Sequence, residues 1–291
     1  MLATARADAT SPADIVQLRP EELVRRYRLR RDVADGVNYS RDAAERLGDR
    51  LDQHGVSLLV RHRPGYPKRI ENALGDDAPP VLFFHGSAKS LDERSVGVSG
   101  SRHASEQSLA LARSLAGDLA NADVNVVSGN ANGVDLAAHH GALAASGATT
   151  FVLADGILSF RPRGAVADVF DDGRALVLSE FPPDLGWIAR NAMRRNRTIC
   201  ALSQGMVIVE ASDSGGTFAA GQEALKLGCP LFVADHLDLP ESAIGNRKLI
   251  RGGAQPLRLN EDFKLDVRQL LACVTDSDGR EVRKPQLPLL P

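Results

Sequence analysis

Two glycine-containing turns carry the residues of this sequence that are best suited to bind an anion. The first is GSR at 100–102 and the second is SGNANG at 128–133. Each turn precedes a stretch with helical spacing, and the N–H groups at a helix start favour a negative charge. Glycine also lets a ligand approach the backbone closely. We therefore predict a phosphate site formed by Gly100, Ser101, Arg102, Ser128, Gly129, Asn132 and Gly133.

Basic residues and a third loop add candidates for the same site. Arg163 belongs to the segment SFRPRG at 159–164, and RRNR at 194–197 occupies nearly one helical turn. Arginine suits forked recognition of phosphate, although such a cluster also suits a solvated helix face with salt bridges. The further candidates are Arg163, Arg194, Arg195, Asn196, Arg197 and, in the third loop, Ser214 and Gly215.

An alternation of strands and helices is predicted to position these residues. Short strand-like segments lie at 95–99, 124–127, 149–153, 175–178, 206–209 and 231–234. Uninterrupted apolar strands separated by helical stretches are typical of a parallel sheet that is covered on both faces. The sequence therefore predicts an α/β protein with a doubly wound, mostly parallel, Rossmann-like sheet. In such a sheet the loops at Gly100, Gly129 and Gly215 lie at the carboxyl edge, where they can share one crevice.

Composition limits the class of protein. The chain has 291 residues, is 43% hydrophobic and carries a formal net charge of −2, so it lacks a global basic field. Its three cysteines are widely spaced, which favours a reducing cytoplasm and no metal site. No apolar run reaches the ~20 residues that span a membrane. We expect an N-terminal helical extension at 1–55, a Rossmann-fold domain at 56–260, a C-terminal tail at 261–291, and no cofactor.

Six ordered blocks of the sequence resemble those of a known family. They are GSR at 100–102, SGNANGVDLAAHHGAL at 128–143, SEFPP at 179–183, RRNRTICALS at 194–203, VIVEASDSGGT at 207–217 and GNRKLIRGGA at 245–254. Together they resemble the signature of the bacterial DNA-processing protein A (DprA/Smf) family. The resemblance implies non-enzymatic binding of single-stranded DNA, a homodimer, and loading of a RecA-type recombinase during natural transformation. Residues 261–291 are too short for the winged-helix module often found at the C-terminus of the family.

The resemblance also assigns roles to individual residues. It places Arg102 beside the DNA phosphates and the RRNR sequence on a basic helix, in which Asn196 fixes a backbone turn. Asp135 and His139 match the helix that follows the second turn. These two side chains lie four residues apart on one helix face, and we expect them to hold the turn through hydrogen bonds rather than to catalyse a reaction.

Two positions depart from the family pattern. Asn132 stands where the family usually has an arginine, and Ala192-Met193 stand where it usually has an aromatic residue. The first change removes a phosphate partner. The second removes a stacking platform that contributes ~1–3 kcal/mol per base. Trp187 and Phe181 lie nearby in the sequence and are candidates to replace that platform.

Two other functions stay open from the sequence. The segment SGGT at 214–217 resembles the glycine motif of cytokinin-activating phosphoribohydrolases, which suggests a nucleotide-binding sensor. Those enzymes need a carboxylate three residues beyond the threonine, where this chain has Ala220, and Glu223 lies nearly a turn further on. We therefore do not expect hydrolysis. The lost pocket residues also suggest a regulatory or immunity partner in a phage-defence or toxin–antitoxin module.

Overall fold

The computed structural model describes residues 18–39, 41–235, 243–261 and 264–275. For residues 37–39, 41 and 42 it describes the backbone only. The chain divides into two compact units, Met1–Gly55 and Val56–Pro291.

The first unit contains three described helices: α1 (Pro20–Tyr27), α2 (Arg31–Tyr39) and α3 (Arg41–Gln53). Proline at the first position of α1 has a backbone already suited to a helix start, and acidic residues in its first turn complement the helix dipole. Leu23, Tyr27 and Ala34 are buried together and form a small apolar cluster. The described part of this unit is therefore helical.

The second unit is built on one sheet, in which nine strands are described. In chain order they are β1 (Ser57–Val60), β2 (Val81–Gly86), β3 (Ser95–Ser99), β4 (Asn125–Ser128), β5 (Thr149–Val152), β6 (Ala175–Ser179), β7 (Gly205–Ile208), β8 (Leu231–Asp235) and β9 (Gln255–Arg258). Their spatial order is β1-β2-β6-β5-β4-β3-β7-β8-β9. The six pairings from β6 through β9 are parallel, whereas β1 and β2 add an antiparallel edge.

Helices cover both faces of this sheet. The helices described in the second unit are α4 (Lys68–Leu74), α5 (Glu106–Asn121), α6 (Val134–Ala144), α7 (Ala165–Val169), α8 (Ala189–Leu202), α9 (Gly216–Lys226), α10 (Ile244–Arg251) and α11 (Arg268–Thr275). Successive strand residues point to opposite faces, so Val126 joins one apolar cluster with α5, α6 and α11, while Val127 joins another with α4, α8, α9 and α10. The predicted doubly wound, mostly parallel fold is confirmed.

The strand order reverses at β3. From this central strand the chain steps outward to β4, β5 and β6, and then crosses to β7 and continues to β8 and β9 on the other side. Ligands of open parallel sheets bind in the crevice outside the carboxyl ends of the strands, where such a reversal occurs. The turn at 100–102, which follows β3, therefore lies at the point that this topology favours for a site.

Part of the predicted C-terminal tail packs against the sheet. Leu265, Leu270 and Val274 are buried in the same apolar cluster as Val96 and Val98 of β3. The helix α11, to which Leu270 and Val274 belong, thus contributes to the core of the second unit. Residues 276–291 of the predicted tail lie outside the described residues. None of the helices in the described part of the chain is both long and apolar enough to cross a membrane.

We predict that Gly141 is required for the close packing of α5 and α6. A Cβ atom at this position would lie 2.2 Å from the backbone oxygen of Arg113. Substituting Gly141 with Ala should lower the free energy of unfolding by about 1–3 kcal/mol, because the two helices must move apart. Urea unfolding measured by circular dichroism provides the test.

Gly117 is the matched control on the facing helix. A Cβ atom there would lie no closer than 3.8 Å to another group. The Gly117→Ala variant should be as stable as the parent or more stable by about 0.5–1 kcal/mol, since alanine favours a helix interior. Equal effects of the two substitutions would contradict a steric role for Gly141.

Candidate nucleic-acid interface

A cleft of about 320 Å³ lies outside the carboxyl ends of β3, β4 and β5. Its walls come from the loops that follow these strands and from the segment that precedes α8. Among the described residues that line it are four arginines and one carboxylate: Arg102, Arg161, Arg163, Arg195 and Asp155. The cleft is therefore a local concentration of positive charge in a chain whose overall net charge is −2.

Arg102 and Trp187 form a pair at the cleft. The guanidinium carbon of Arg102 lies 5.2 Å from the centroid of the Trp187 ring, within the range of a cation–π contact. Trp187 is 53% exposed, whereas Phe181 is only 5% exposed. Of the two aromatic residues predicted to replace the family's stacking platform, Trp187 is available at the surface of the cleft. Phe181 is buried in the protein, so a base cannot stack on it.

A buried ion pair holds the loop after β4. The Arg195 guanidinium lies 3.8 Å from a carboxylate oxygen of Asp135, and both side chains are at most 7% exposed. The same oxygen of Asp135 accepts a hydrogen bond from the Ala131 N–H at 3.3 Å. Burial raises the pKa of Asp135, and the nearby Arg195 opposes that shift. Burial likewise lowers the pKa of Arg195, against the effect of Asp135.

Gly129 gives this ion pair its space. A Cβ atom at Gly129 would lie 1.9 Å from the Arg195 guanidinium and 2.4 Å from the Asp135 carboxylate. Any side chain at this position would displace one of the two charged groups. The absence of a side chain at Gly129 therefore leaves space for the buried Arg195 guanidinium. Arg195 packs against the second turn and also lines the cleft.

His139 ties the loop after β4 to its helix from the other side. The ring is fully buried, stacks on Phe151 with centroids 3.6 Å apart, and lies 2.7 Å from both the Gly129 carbonyl and the Thr149 hydroxyl. Burial lowers the pKa of His139 to about 3. The neutral ring has one N–H, which Nε2 donates to the Gly129 carbonyl because a carbonyl can only accept. The Thr149 hydroxyl lies within hydrogen-bonding distance of both Nδ1 and the Val126 carbonyl, which share its single proton.

The first turn is packed against the second one. The Ser101 carbonyl accepts a hydrogen bond from the Val134 N–H at 3.3 Å. A Cβ atom at Gly133, whose φ is +82°, would lie 2.2 Å from that carbonyl, and a Cβ atom at Gly100 would lie 2.4 Å from the Val134 side chain. The buried Ser128 hydroxyl donates to the Val98 carbonyl at 2.6 Å. Gly100, Ser101, Ser128 and Gly133, which we predicted to bind phosphate, therefore hold the first and second turns against each other.

The anion at the start of α5 is the chain's own carboxylate. Glu210 is fully buried, and one of its oxygens accepts hydrogen bonds from the Ser105 N–H and hydroxyl, each at 3.0 Å. Its backbone oxygen accepts from the Ser101 N–H at 2.8 Å. This corrects our expectation that phosphate binds at the helix start after the first turn, because the buried Glu210 carboxylate already occupies the N-cap of α5 and would repel a second anion there.

The arginines of α8 point in different directions. Arg194 pairs with Glu180 at 2.7 Å. Arg197 pairs with Asp77 at 3.0 Å and with Glu223 at 3.2 Å. Neither of them lines the cleft, which Arg195 reaches. At about 100° per residue, Arg194 and Arg197 lie on one side of the helix, whereas Arg195 is turned away from them by roughly 100° and 160° and alone faces the cleft. This corrects the prediction that all three guanidiniums bind phosphate together.

The third loop lies outside the cleft. Ser214 and Gly215 are exposed, and neither contributes to the cleft wall. Side chains connect the loop to its neighbours: Thr217 donates to the Gly100 carbonyl at 3.0 Å, and Asn196 donates to the Gly216 carbonyl at 3.4 Å. The crevice thus forms at the loops after β3, β4 and β5: the predicted glycine loops at Gly100 and Gly129 contribute to it, whereas the predicted loop at Gly215 does not.

The remaining predicted residues do lie at the cleft. Asn132 is exposed on its wall, and Arg163 donates to the backbone and side-chain oxygens of Asn130 across it. Within the described ranges, no group of three or more histidine, cysteine or acidic residues is arranged to hold a metal ion.

A family model described as DNA recombination-mediator protein A matches residues 57–267. The chain belongs to this family. Protein Smf of Escherichia coli is 36% identical over 186 residues, which are 63% of this chain and 49% of that protein. DNA processing protein DprA of Bacillus subtilis is 30% identical over 214 residues, 72% of this chain and 71% of that protein. The chain thus spans about half the length of its E. coli relative.

Solved structures of DprA proteins have the same fold. The X-ray structure of DprA from Streptococcus pneumoniae superposes with a TM-score of 0.67 at 28% identity, covering 78% of this chain and 79% of that one. DprA from Helicobacter pylori superposes with a TM-score of 0.61 at 26% identity, covering 76% and 94%. The latter structure is described as giving insight into a unique single-stranded DNA binding mode of that protein.

Several residues of the cleft in this DprA-family chain were not predicted to be site residues. Asp155, Phe160 and Arg161 line the cleft beside the predicted Arg163. All of them follow β5, and the carboxyl end of a parallel strand marks this region as part of the same edge. The position of these residues after a predicted strand is the sequence signal that indicates them as part of the site.

We predict that the buried His139 lowers stability in acid. The unfolded chain binds a proton at His139 below a pH of about 6.5, whereas the folded protein does so only near pH 3. As the pH drops from about 6.5 towards 3, the free energy of unfolding should therefore decrease by about 1.4 kcal/mol for each pH unit. The His139→Gln variant should be less stable at neutral pH but should lose that part of the pH slope.

The measurement is urea unfolding between pH 7 and pH 4. The His103→Gln variant, which changes an exposed histidine, is the control and should retain the parent slope. An unchanged slope in His139→Gln would contradict a neutral, buried His139.

Proposed function

We propose that this chain binds single-stranded DNA in the cleft outside β3, β4 and β5. The observation that carries the proposal is the pairing of an arginine-lined wall with an exposed aromatic ring in one cleft. Arg102, Arg161 and Arg163 are exposed there, and Trp187 lies directly beside Arg102. Guanidiniums neutralise backbone phosphates, and aromatic rings stack with bases that are not paired in a duplex.

The size of the cleft favours a single strand over a duplex. A volume of about 320 Å³ is at the lower end of small-molecule sites and accommodates a group the size of one nucleotide. A base of a single strand can turn into such a cleft at little cost, whereas a base in a duplex must first lose its pair and its stacking. We therefore propose preferential binding of single strands.

The relatives support the same ligand. The family description names a mediator of DNA recombination, and the H. pylori structure concerns single-stranded DNA. We propose that the bound strand is the substrate that this chain supplies to recombination, with a RecA-type recombinase as the partner implied by the resemblance. Homodimerisation remains a prediction of that resemblance.

A hydrolytic role has less support. Ala220 is buried at the position where the phosphoribohydrolases need a carboxylate. Glu223, the next carboxylate along α9, forms ion pairs with Arg197 at 3.2 Å and Lys226 at 3.8 Å. We therefore propose that the cleft binds nucleic acid without catalysing a reaction.

We predict that Arg102 contributes to single-strand affinity through charge and through its contact with Trp187. If three exposed arginines neutralise three phosphates, log affinity should fall with log salt with a slope of about −2. The Arg102→Ala variant should bind a labelled ~30-nucleotide strand roughly 3- to 10-fold more weakly at ~0.1 M salt, with a slope of about −1.4. Fluorescence anisotropy across a salt series measures both quantities.

Arg268→Ala is the matched control. The Arg268 side chain is 88% exposed and pairs with Asp266 outside the cleft, so the variant makes the same change in charge elsewhere. It should bind as the parent does. A salt-independent affinity, tighter binding of the duplex, or equal losses in the two variants would contradict the proposed site.

A further inference from the structure

The wall of the cleft contains a buried cation that the protein satisfies only in part. Arg195 lines the cleft although the residue is 6% exposed. In the described part of the chain, the closest carboxylate oxygen to its guanidinium is that of Asp135, and their separation of 3.8 Å is too long for a hydrogen bond. The Nε of Arg195 is buried and has no hydrogen-bond acceptor among the same residues. A buried guanidinium of this kind is suited to bind an oxyanion.

Asn191 provides a second buried donor beside Arg195. The two residues lie one turn apart on the same face of α8, and Trp187, which also lines the cleft, comes four residues before Asn191. Asn191 is 7% exposed, and its Nδ2 has no acceptor within the described ranges. Because buried donors are normally paired, a ligand with several oxygen atoms would satisfy both side chains. We call Asn191 and Arg195 the floor of the cleft.

The charges around the floor match a ligand that carries two negative charges. Four guanidiniums of the cleft outnumber by two the carboxylates that lie among them: Arg102, Arg161, Arg163 and Arg195 against Asp135 and Asp155. Burial lowers the pKa of Arg195, and the like charge of the nearby Arg102 adds to this shift. A phosphate monoester carries about two negative charges at a pH well above 6, whereas each phosphate inside a strand carries one.

The shape of the cleft also favours a phosphate at the end of a nucleotide. The volume of about 320 Å³ is enough for one nucleotide. The second turn closes the floor from behind, since a Cβ atom at Gly129 would lie 1.9 Å from the Arg195 guanidinium. A phosphate inside a strand must continue in two directions, which a closed floor does not allow. A monoester has one ester bond, so its free oxygens can face the floor while its base lies beside Trp187.

We propose that the floor is a subsite for a phosphate monoester, so that the cleft binds a free nucleoside 5′-monophosphate as well as a strand. Arg195 and Asn191 donate to the phosphate oxygens, and the ring of Trp187 contacts the base. This inference goes beyond the proposed function, because it requires no strand in the cleft. A mononucleotide in this position occupies Arg102 and Trp187 and therefore competes with a strand for the cleft.

Trp187 is the only tryptophan in the sequence, so its fluorescence reports on the cleft directly. The intact protein would be titrated at pH 8 with thymidine 5′-monophosphate and, separately, with thymidine, which has the same base and sugar but no phosphate. The parent protein should bind the monophosphate at least about tenfold more tightly, because charge-assisted hydrogen bonds form only with the phosphate. This comparison requires no variant.

Two substitutions of Asn191 test the floor itself. The Asn191→Ala variant should bind the monophosphate roughly 3- to 10-fold more weakly and should bind thymidine as the parent does, because one donor to the phosphate is lost. The Asn191→Asp variant keeps the shape of the side chain but places a carboxylate at the floor. It should lose the preference for the monophosphate over thymidine.

Asn121→Ala is the matched control for the removal of an amide. Asn121 is exposed at the end of α5, at the opposite edge of the sheet from the cleft. This variant should bind both ligands as the parent does. Circular dichroism and thermal unfolding establish that each variant is folded.

A 5′-phosphate at the end of a strand has the same chemistry as a mononucleotide, and strand binding separates the two sources. Labelled oligothymidylates with a 5′-phosphate or a 5′-hydroxyl would be compared by fluorescence anisotropy. Tighter binding of the phosphorylated strand would show that the floor also accepts strand ends. Equal binding, with both strands displaced by thymidine 5′-monophosphate, would assign the floor to free nucleotides.

The possible failures are distinguishable. Equal affinities of the parent for thymidine and its monophosphate, or a loss in Asn191→Ala that is the same for both ligands, would overturn the floor subsite, and binding of either strand would leave the proposed function intact. A parent protein that prefers the monophosphate but binds neither strand would overturn the proposed function and leave the subsite intact.

Discussion

The ion pair between Arg195 and Asp135 is the interaction on which the rest of the cleft depends. It joins α8 to the loop after β4, and it requires the absence of a side chain at Gly129. Two charges in a nearly dry site pay a large desolvation cost, so removing one partner would leave the other uncompensated. The pair is better understood as a device that fixes the geometry of the cleft than as a source of net stability.

This constraint separates the residues that build the site from those that meet a ligand. Glu210, His139 and Asp135 occupy the donors and acceptors of the two glycine turns from inside the protein. The turns therefore act as a rigid frame. The groups left to face solvent are long side chains on the neighbouring loops, chiefly Arg102, Arg161 and Arg163, and the ring of Trp187. Because the frame residues are satisfied internally, these exposed arginines and the Trp187 ring provide positive charge and a stacking surface in the same cleft.

Local pattern was enough to predict the sheet and most of the turns, whereas the family was indicated by the resemblance of six ordered sequence blocks. The strand at 95–99 and the turn after it stand where the apolar spacing placed them, because period and glycine position are local properties. The partners of charged side chains are not local. Arg194 forms an ion pair with Glu180, and Arg197 forms ion pairs with Asp77 and Glu223. All three carboxylates come from other segments of the chain. Spacing alone could not predict those pairs, nor the role of Glu210 at the start of α5.

Photo-crosslinking is the most direct test of where the strand binds. A single-stranded oligonucleotide that carries 5-iodo-deoxyuridine would be irradiated with the intact protein, and the crosslinked peptides would be identified by mass spectrometry. We predict crosslinks to Trp187 or Phe160, the aromatic residues of the cleft. Crosslinks confined to the exposed loop at 212–217 or to the N-terminal unit would contradict the assignment of the cleft as the DNA-binding site.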